Sequence, residues 1–278
     1  DFAVGLMYDA GVPKHVLQLL PGDGHEIGAA LTHLPLDGMC FTGSTATAQR
    51  INRAMAENTA PQAPLIAETG GLNAMIVDST ALPEQAVRDI VTSAFQSAGQ
   101  RCSALRVLYV QEDVAETMLR MLYGAMDELE LGDPWNRDTD IGPVITPKAR
   151  ADIQAHIEAA ARDGRVLKTL PAPAIGHFVA PTVIKVTGIK DLEREVFGPV
   201  LHVATYAARD LDKVIAEINA TGYGLTFGMH SRIDDRVEQV TSQIHCGNLY
   251  INRNQIGAIV GSQPFGGEGL SGTGPKAG

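Results

Sequence analysis

The sequence has 278 residues, of which 45% are hydrophobic and 19% charged, and its formal net charge is −10. That is ordinary globular composition, and the length allows one large core or two domains. The acidic balance, with no dense Lys/Arg run, argues against a nucleic-acid or anionic-membrane partner through this segment. No apolar stretch reaches the length of a membrane span and no secretory signal opens the chain. Cys40, Cys102 and Cys246 cannot all pair with one another and show no zinc spacing, so a reducing, cytoplasmic compartment fits best. The plainer reading of Cys40 and Cys246 is a small buried hydrophobe. The eight histidines show no metal-ligand spacing, and no metal is expected.

Residues 1–11 read as the tail of a helix, and the last residues stop inside a glycine-rich turn, so the sequence reads as an excerpt from a longer polypeptide. Val16 to Leu20 has strand length, Pro21-Gly-Asp-Gly24 turns, and Gly28 follows at a helix start. Strand, glycine turn and helix bring backbone N–H groups to a phosphate, although such glycines are more often a plain tight turn. Gly38 to Thr42 is the next strand, Gly43 turns, Ser44-Thr45 caps a helix to about Asn58, and Pro64 to Ala67 is a strand ending at Glu68. That alternation is the rhythm of a parallel, doubly wound sheet.

A strand over Ala74 to Val77 comes next, then a helix with Pro83 in its first turn and an apolar stripe of Ala86, Val87, Ile90, Val91, Ala94 and Phe95. Gly99 ends it, and a strand resumes at Leu105 to Val110. Cys102 thus lies on a helix-to-strand junction. Helices are expected over Val114–Leu129, whose methionines read as core, and over Pro147–Arg162. Strands follow at Phe178–Ile184, Leu201–Tyr206, Leu225–His230 and Asn248–Ile251, with helices at Asp210–Asn219 and Asp234–Gln243. From Asn254 a long glycine-rich loop carries Ile256, Ile259, Val260 and Phe265, which favour an ordered, packed loop. A thiol on a loop and a carboxylate before two glycines, Glu68-Thr-Gly-Gly71, fit covalent catalysis with the carboxylate as base. The alternatives are an inert core thiol and a solvated carboxylate.

Phe41-Thr-Gly-Ser-Thr45, Glu68-Thr-Gly-Gly71, Gly99-Gln-Arg-Cys102, Glu195-Val-Phe-Gly-Pro199 and Pro264-Phe-Gly-Gly267 occur in this order. Together they resemble the NAD(P)-dependent aldehyde dehydrogenase superfamily, and the 34-residue separation of Glu68 and Cys102 matches its base-to-nucleophile spacing. Residues 97–106, Asn219-Ala-Thr-Gly-Tyr-Gly-Leu225 and the tail from Tyr250 resemble most the L-glutamate γ-semialdehyde (1-pyrroline-5-carboxylate) dehydrogenase module of the bifunctional bacterial proline-utilisation enzymes. Ala48 stands where many members carry a second glycine.

The resemblance implies an α/β fold of aldehyde dehydrogenase type: part of a Rossmann-type NAD-binding domain plus an α/β catalytic domain. Residues 1–70 form the second half of the NAD-binding domain, 71–270 the catalytic domain and 271–278 the start of a C-terminal segment. Cys102 is the nucleophile and Glu68 the base. Gly24, Gly28, Phe41, Gly43, Ser44, Gly70, Glu195 and Phe197 line NAD. Ser103, Gly257, Ala258 and Phe265 hold the semialdehyde, the first three at its α-carboxylate. The oxyanion-site asparagine, the ribose-binding lysine and the oligomerisation flap are absent, so the excerpt alone is expected to be inactive. A proline dehydrogenase module, with its FAD, belongs to the same polypeptide, and the full-length protein is expected to be a homo-oligomer. Two rivals stay open: an enzyme for another aldehyde, and a non-catalytic assembly domain.

Overall fold

The computed structural model describes residues 1–259 and 261–274. Val260, expected in the packed loop, and 275–278, from the expected C-terminal segment, lie outside the described residues. The chain forms two compact units, Asp1–Cys40 with Ala46–Leu65, and Phe41–Thr45 with Ile66 onward.

The first unit holds α1 (Phe2–Asp9), α2 (Ile27–Thr32) and nearly all of α3 (Thr45–Asn58). Strands β1 (Met39–Thr42) and β2 (Leu65–Glu68) pair with each other, and both pass from the first unit into the second. Val16–Leu20 is not a strand. The Val16 and Leu17 N–H groups close on the Pro13 carbonyl, and Val16, Leu19 and Leu20 are exposed. A strand needs a neighbour for its N–H and C=O groups, and among the described residues none pairs with this run. Cys40 is exposed rather than buried, because β1 alternates half-buried and exposed side chains.

The second unit is built on a seven-stranded sheet. Its elements are β3 (Ala74–Val77), α4 (Pro83–Phe95), β4 (Val107–Gln111), α5 (Glu112–Asp127), α6 (Pro147–Arg162), β5 (Val166–Thr169), β6 (Thr182–Lys185), β7 (Val200–Tyr206) and α7 (Leu211–Asn219). Then come β8 (Tyr223–Gly224), β9 (Thr226–His230), α8 (Asp234–Gln243), β10 (Asn248–Ile251) and β11 (Glu268–Gly269). The strand order is β10-β9-β3-β4-β7-β6-β5, and every pairing is parallel except that of β5 with β6; β8 and β11 form a separate antiparallel pair.

The central strands β3, β4 and β9 are buried along their whole length, as strands covered on both faces are. Side chains alternate between the faces. Met75, Val77 and Leu108 meet Val87, Ile90 and Phe95 of α4 and Met118, Leu122 and Met126 of α5 on one side. Ala74, Ile76 and Tyr109 meet Leu211, Val214, Ile215 and Ile218 of α7 and Val240 of α8 on the other. The expected core methionines of α5 are therefore core.

Candidate active site

Helix α4 begins with Pro83 at its first position and buries the stripe expected of it, save Val91, which is half-buried. It stops at Phe95 because the chain turns left-handed at Ser97, Ala98 and Gly99 (φ 56°, 53° and 64°). Two of these are not glycine, and each such residue costs about 1–3 kcal/mol, which the surroundings must offset. At Gly99 any Cβ would collide with the Gly198 carbonyl. The turn ends at Arg106, and its thiol, Cys102, is half-buried. Asn73 before β3, Arg106 before β4, Thr226 at the head of β9 and the segment Glu195–Pro199 before β7 surround it. The turn thus sits at the amino ends of four adjacent strands.

Burial pushes the Cys102 thiol above its ordinary value, and the Glu195 and Glu68 carboxylates add to the rise, while the Ser103 and Cys102 N–H groups oppose it. The sulfur and both carboxylates therefore share one electrostatic neighbourhood. Glu68, at the end of β2, accepts from the Gly267 N–H at 3.0 Å. Its backbone bridges Gly272. Glu195 Oε1 accepts from Arg106 Nη2 at 2.9 Å and Nε at 3.1 Å. Burial raises the Glu195 carboxyl despite that partner and the Gly71 N–H.

The remaining expected residues fall as follows. In the second unit, Gly70 runs directly beneath Glu195, whose Oε2 occupies the place a Cβ would take. Phe197 stacks over the Arg106 guanidinium at 5.1 Å and stays 44% exposed. The Phe41 ring lies against Gly43, whose N–H donates to the Glu68 carbonyl, and Ser44 directly precedes α3. In the first unit, the Gly28 N–H, inside α2, donates to the Gly24 carbonyl. Ser103 is 1% exposed, and its Oγ accepts the Gly257 N–H at 2.9 Å. Gly257 in turn accepts from Tyr250 Oη at 2.7 Å. Ala258 and Phe265 are half-buried in the same loop.

Sequence reasoning overlooked Arg106 and Asn73. Arg106 is the largest fully buried side chain among the described residues. Its signal was available: an arginine entering an apolar central strand must bring a partner with it.

The residues 2–278 match the model of the aldehyde dehydrogenase family. The chain is 54% identical to the bifunctional protein PutA of Klebsiella aerogenes, covering 99% of this chain and 22% of that protein. It is 39% identical to the 1-pyrroline-5-carboxylate dehydrogenase of Geobacillus kaustophilus, covering 99% of this chain and 54% of that one. Among solved structures, a Bradyrhizobium japonicum proline utilization A (PutA) mutant superposes with a TM-score of 0.95 at 55% identity, over 99% of this chain and 28% of that one. The 1-pyrroline-5-carboxylate dehydrogenase from Thermus with bound NAD superposes with a TM-score of 0.89 at 35% identity, over 97% and 53%. The chain thus spans about a fifth of the length of its bifunctional curated relatives.

Proposed function

The chain belongs to the aldehyde dehydrogenase family, and on that premise we propose that it oxidises L-glutamate γ-semialdehyde, formed from 1-pyrroline-5-carboxylate, to L-glutamate with NAD. This is the second step of proline catabolism. The observation that carries the proposal is the half-buried Cys102 thiol on a turn that Arg106 ties to the Glu195 carboxylate, with Glu68 close enough to act on the thiol's charge. The names of the similar proteins, proline-utilisation enzymes and 1-pyrroline-5-carboxylate dehydrogenases, support the substrate.

Cys102 loses its proton and bonds to the aldehyde carbon, and the oxygen becomes an oxyanion beside the Cys102 N–H. When bound, NAD would supply the acceptor for the hydride that the adduct carbon gives up in becoming a thioester. Glu68 takes a proton from water as the water attacks the thioester, the carbon–sulfur bond breaks, and Cys102 leaves as thiolate. The second unit's residues fit such a cofactor. Glu195, held through Oε1 by Arg106, keeps acceptor capacity on Oε2 for a ribose hydroxyl, and Gly70 leaves it room. The exposed part of the Phe197 ring gives the nicotinamide a face to stack on. Phe41, Gly43 and Ser44 belong to the dinucleotide side.

The α-carboxylate goes to the loop of Gly257 and Ala258, with Phe265 along the methylene chain. Because Ser103 already holds the Gly257 N–H, the carboxylate has to share or displace that bond. The module works in the cytoplasm beside a proline dehydrogenase module of the same polypeptide; among the described residues no helix is long and apolar enough to cross a membrane. The test is NADH production from the semialdehyde by the full-length protein and its Cys102→Ala variant, beside a panel of uncharged aldehydes. Activity that survives the substitution overturns the nucleophile, and equal rates on uncharged aldehydes overturn the substrate.

A further inference from the structure

The thiol turn is held by its carbonyls. Arg106 Nη1 donates to the Gly99 carbonyl at 2.8 Å and Nη2 to the Arg101 carbonyl at 3.0 Å. Asn73 Nδ2 donates to the Cys102 carbonyl at 2.7 Å and the Ala104 carbonyl at 2.9 Å, and Thr226 Oγ1 to the Ser103 carbonyl at 3.1 Å. All three donors are buried. In a trans peptide the C=O of one residue and the N–H of the next point in opposite directions. Drawing the Arg101 carbonyl into the core therefore turns the Cys102 N–H outward, and drawing in the Cys102 carbonyl does the same for the Ser103 N–H. These two N–H groups lie beside the Cys102 side chain, and both favour its thiolate. The third peptide behaves differently: the Ala104 N–H, opposite the Ser103 carbonyl, donates back to the Arg101 carbonyl.

We propose that Arg106 and Asn73 are positioning residues that aim the Cys102 and Ser103 N–H groups at the thiol by holding the carbonyls of the same peptides. Arg106 joins that arrangement to the cofactor side, since the same guanidinium binds Glu195 and underlies Phe197. Asn73 is fixed from behind, its Oδ1 accepting the Thr226 N–H at 3.2 Å. The role rests on the thiol chemistry proposed above, but it can be read without any aldehyde.

The experiment follows iodoacetamide alkylation of Cys102 against pH by peptide mass spectrometry, on the full-length protein without substrate or cofactor. The variants are Arg106→Lys, which keeps the charge and loses the fork, and Asn73→Ala. Thr226→Val is the comparison, because it frees a carbonyl whose peptide N–H does not face the sulfur. The expected result is an alkaline displacement of the Cys102 profile and about tenfold slower alkylation near neutral pH in the first two, with Cys40 and Cys246 unchanged. Thr226→Val is expected to melt earlier yet keep the parental profile. Parental profiles in Arg106→Lys and Asn73→Ala, or an equal displacement in Thr226→Val, overturn the proposal. Should Asn73→Ala not fold, Arg106→Lys decides. A parent that alkylates as expected but makes no NADH from the semialdehyde would refute the substrate and leave this assignment standing.

Discussion

Two glycine-to-alanine substitutions are expected to act in opposite directions. Gly99 has φ +64°, and an added Cβ would strike the Gly198 carbonyl oxygen and lie 3.0 Å from the Ala94 carbonyl oxygen. Alanine in the left-handed region costs about 1–2 kcal/mol. Forcing a methyl against backbone costs about 1–3 kcal/mol more. The expected loss is therefore roughly 2–5 kcal/mol, or about 4–20 °C in melting temperature for a chain of this size. Gly124 lies exposed inside α5 with nothing within 4 Å of a Cβ. There alanine removes helix-opposing chain entropy and is expected to add about 0.5–1 kcal/mol, about 1–4 °C. Differential scanning calorimetry measures both. Alkylation of Cys102 should also slow in Gly99→Ala alone, because the displaced turn loses the Arg106 bonds to Gly99 and Gly198. A Gly99→Ala protein that melts within about 1 °C of the parent, or gains stability as Gly124→Ala does, would refute the reasoning.

Two further substitutions test the electrostatics. Glu68→Gln removes a negative charge that opposes thiolate formation, so Cys102 should alkylate faster at neutral pH. Thioester hydrolysis should nevertheless fall about 10²–10⁴-fold, giving an NADH burst followed by a slow steady state in stopped flow; unchanged steady turnover would exclude Glu68 as the base. His202 is fully buried, and burial lowers it to about 4 from the ordinary 6.5. Its Nδ1–H donates to the Arg106 carbonyl at 3.0 Å, which leaves Nε2 to accept from His156 Nε2–H at 2.8 Å. The unfolded chain binds the proton more readily between those two pH values. Stability is thus intact above pH 6.5 and falls by about 3 kcal/mol on the way to pH 4. Urea midpoints against pH should show that slope in the parent and lose it in His202→Gln; parallel slopes would refute it.

What the sequence disclosed and what it hid follow from the range of the interactions. The α4 stripe, its end at the glycine turn, and β4 were legible because each depends on residues a few positions apart. So was the alternation of strands and helices on which the sheet is built. Val16–Leu20 misled because an apolar run of strand length states only half of a pairing. Strand β5 escaped notice because it is a short, alternating edge strand, half-buried, and antiparallel to its neighbour. Cys102 and Glu68 were legible as residues with chemistry. Glu195 was legible too, but its pairing with Arg106 was not, because the two are 89 positions apart and nothing local to either names the other. The Ser103 hydroxyl's partner was hidden for the same reason: it lies in a loop 154 positions away.

The fastening of Glu68 has a bearing on biosynthesis. Ala67 exchanges hydrogen bonds with Thr273, the Thr69 N–H donates to Ser271, and the Glu68 carboxylate itself rests on Gly267. These partners leave the ribosome some two hundred codons after β2 does. Until then the emerging strand has no ladder on that side, and the carboxylate has no seat. The nascent chain is therefore unable to complete the site early. Its exposed β2 edge must be kept from foreign strands while those codons are translated.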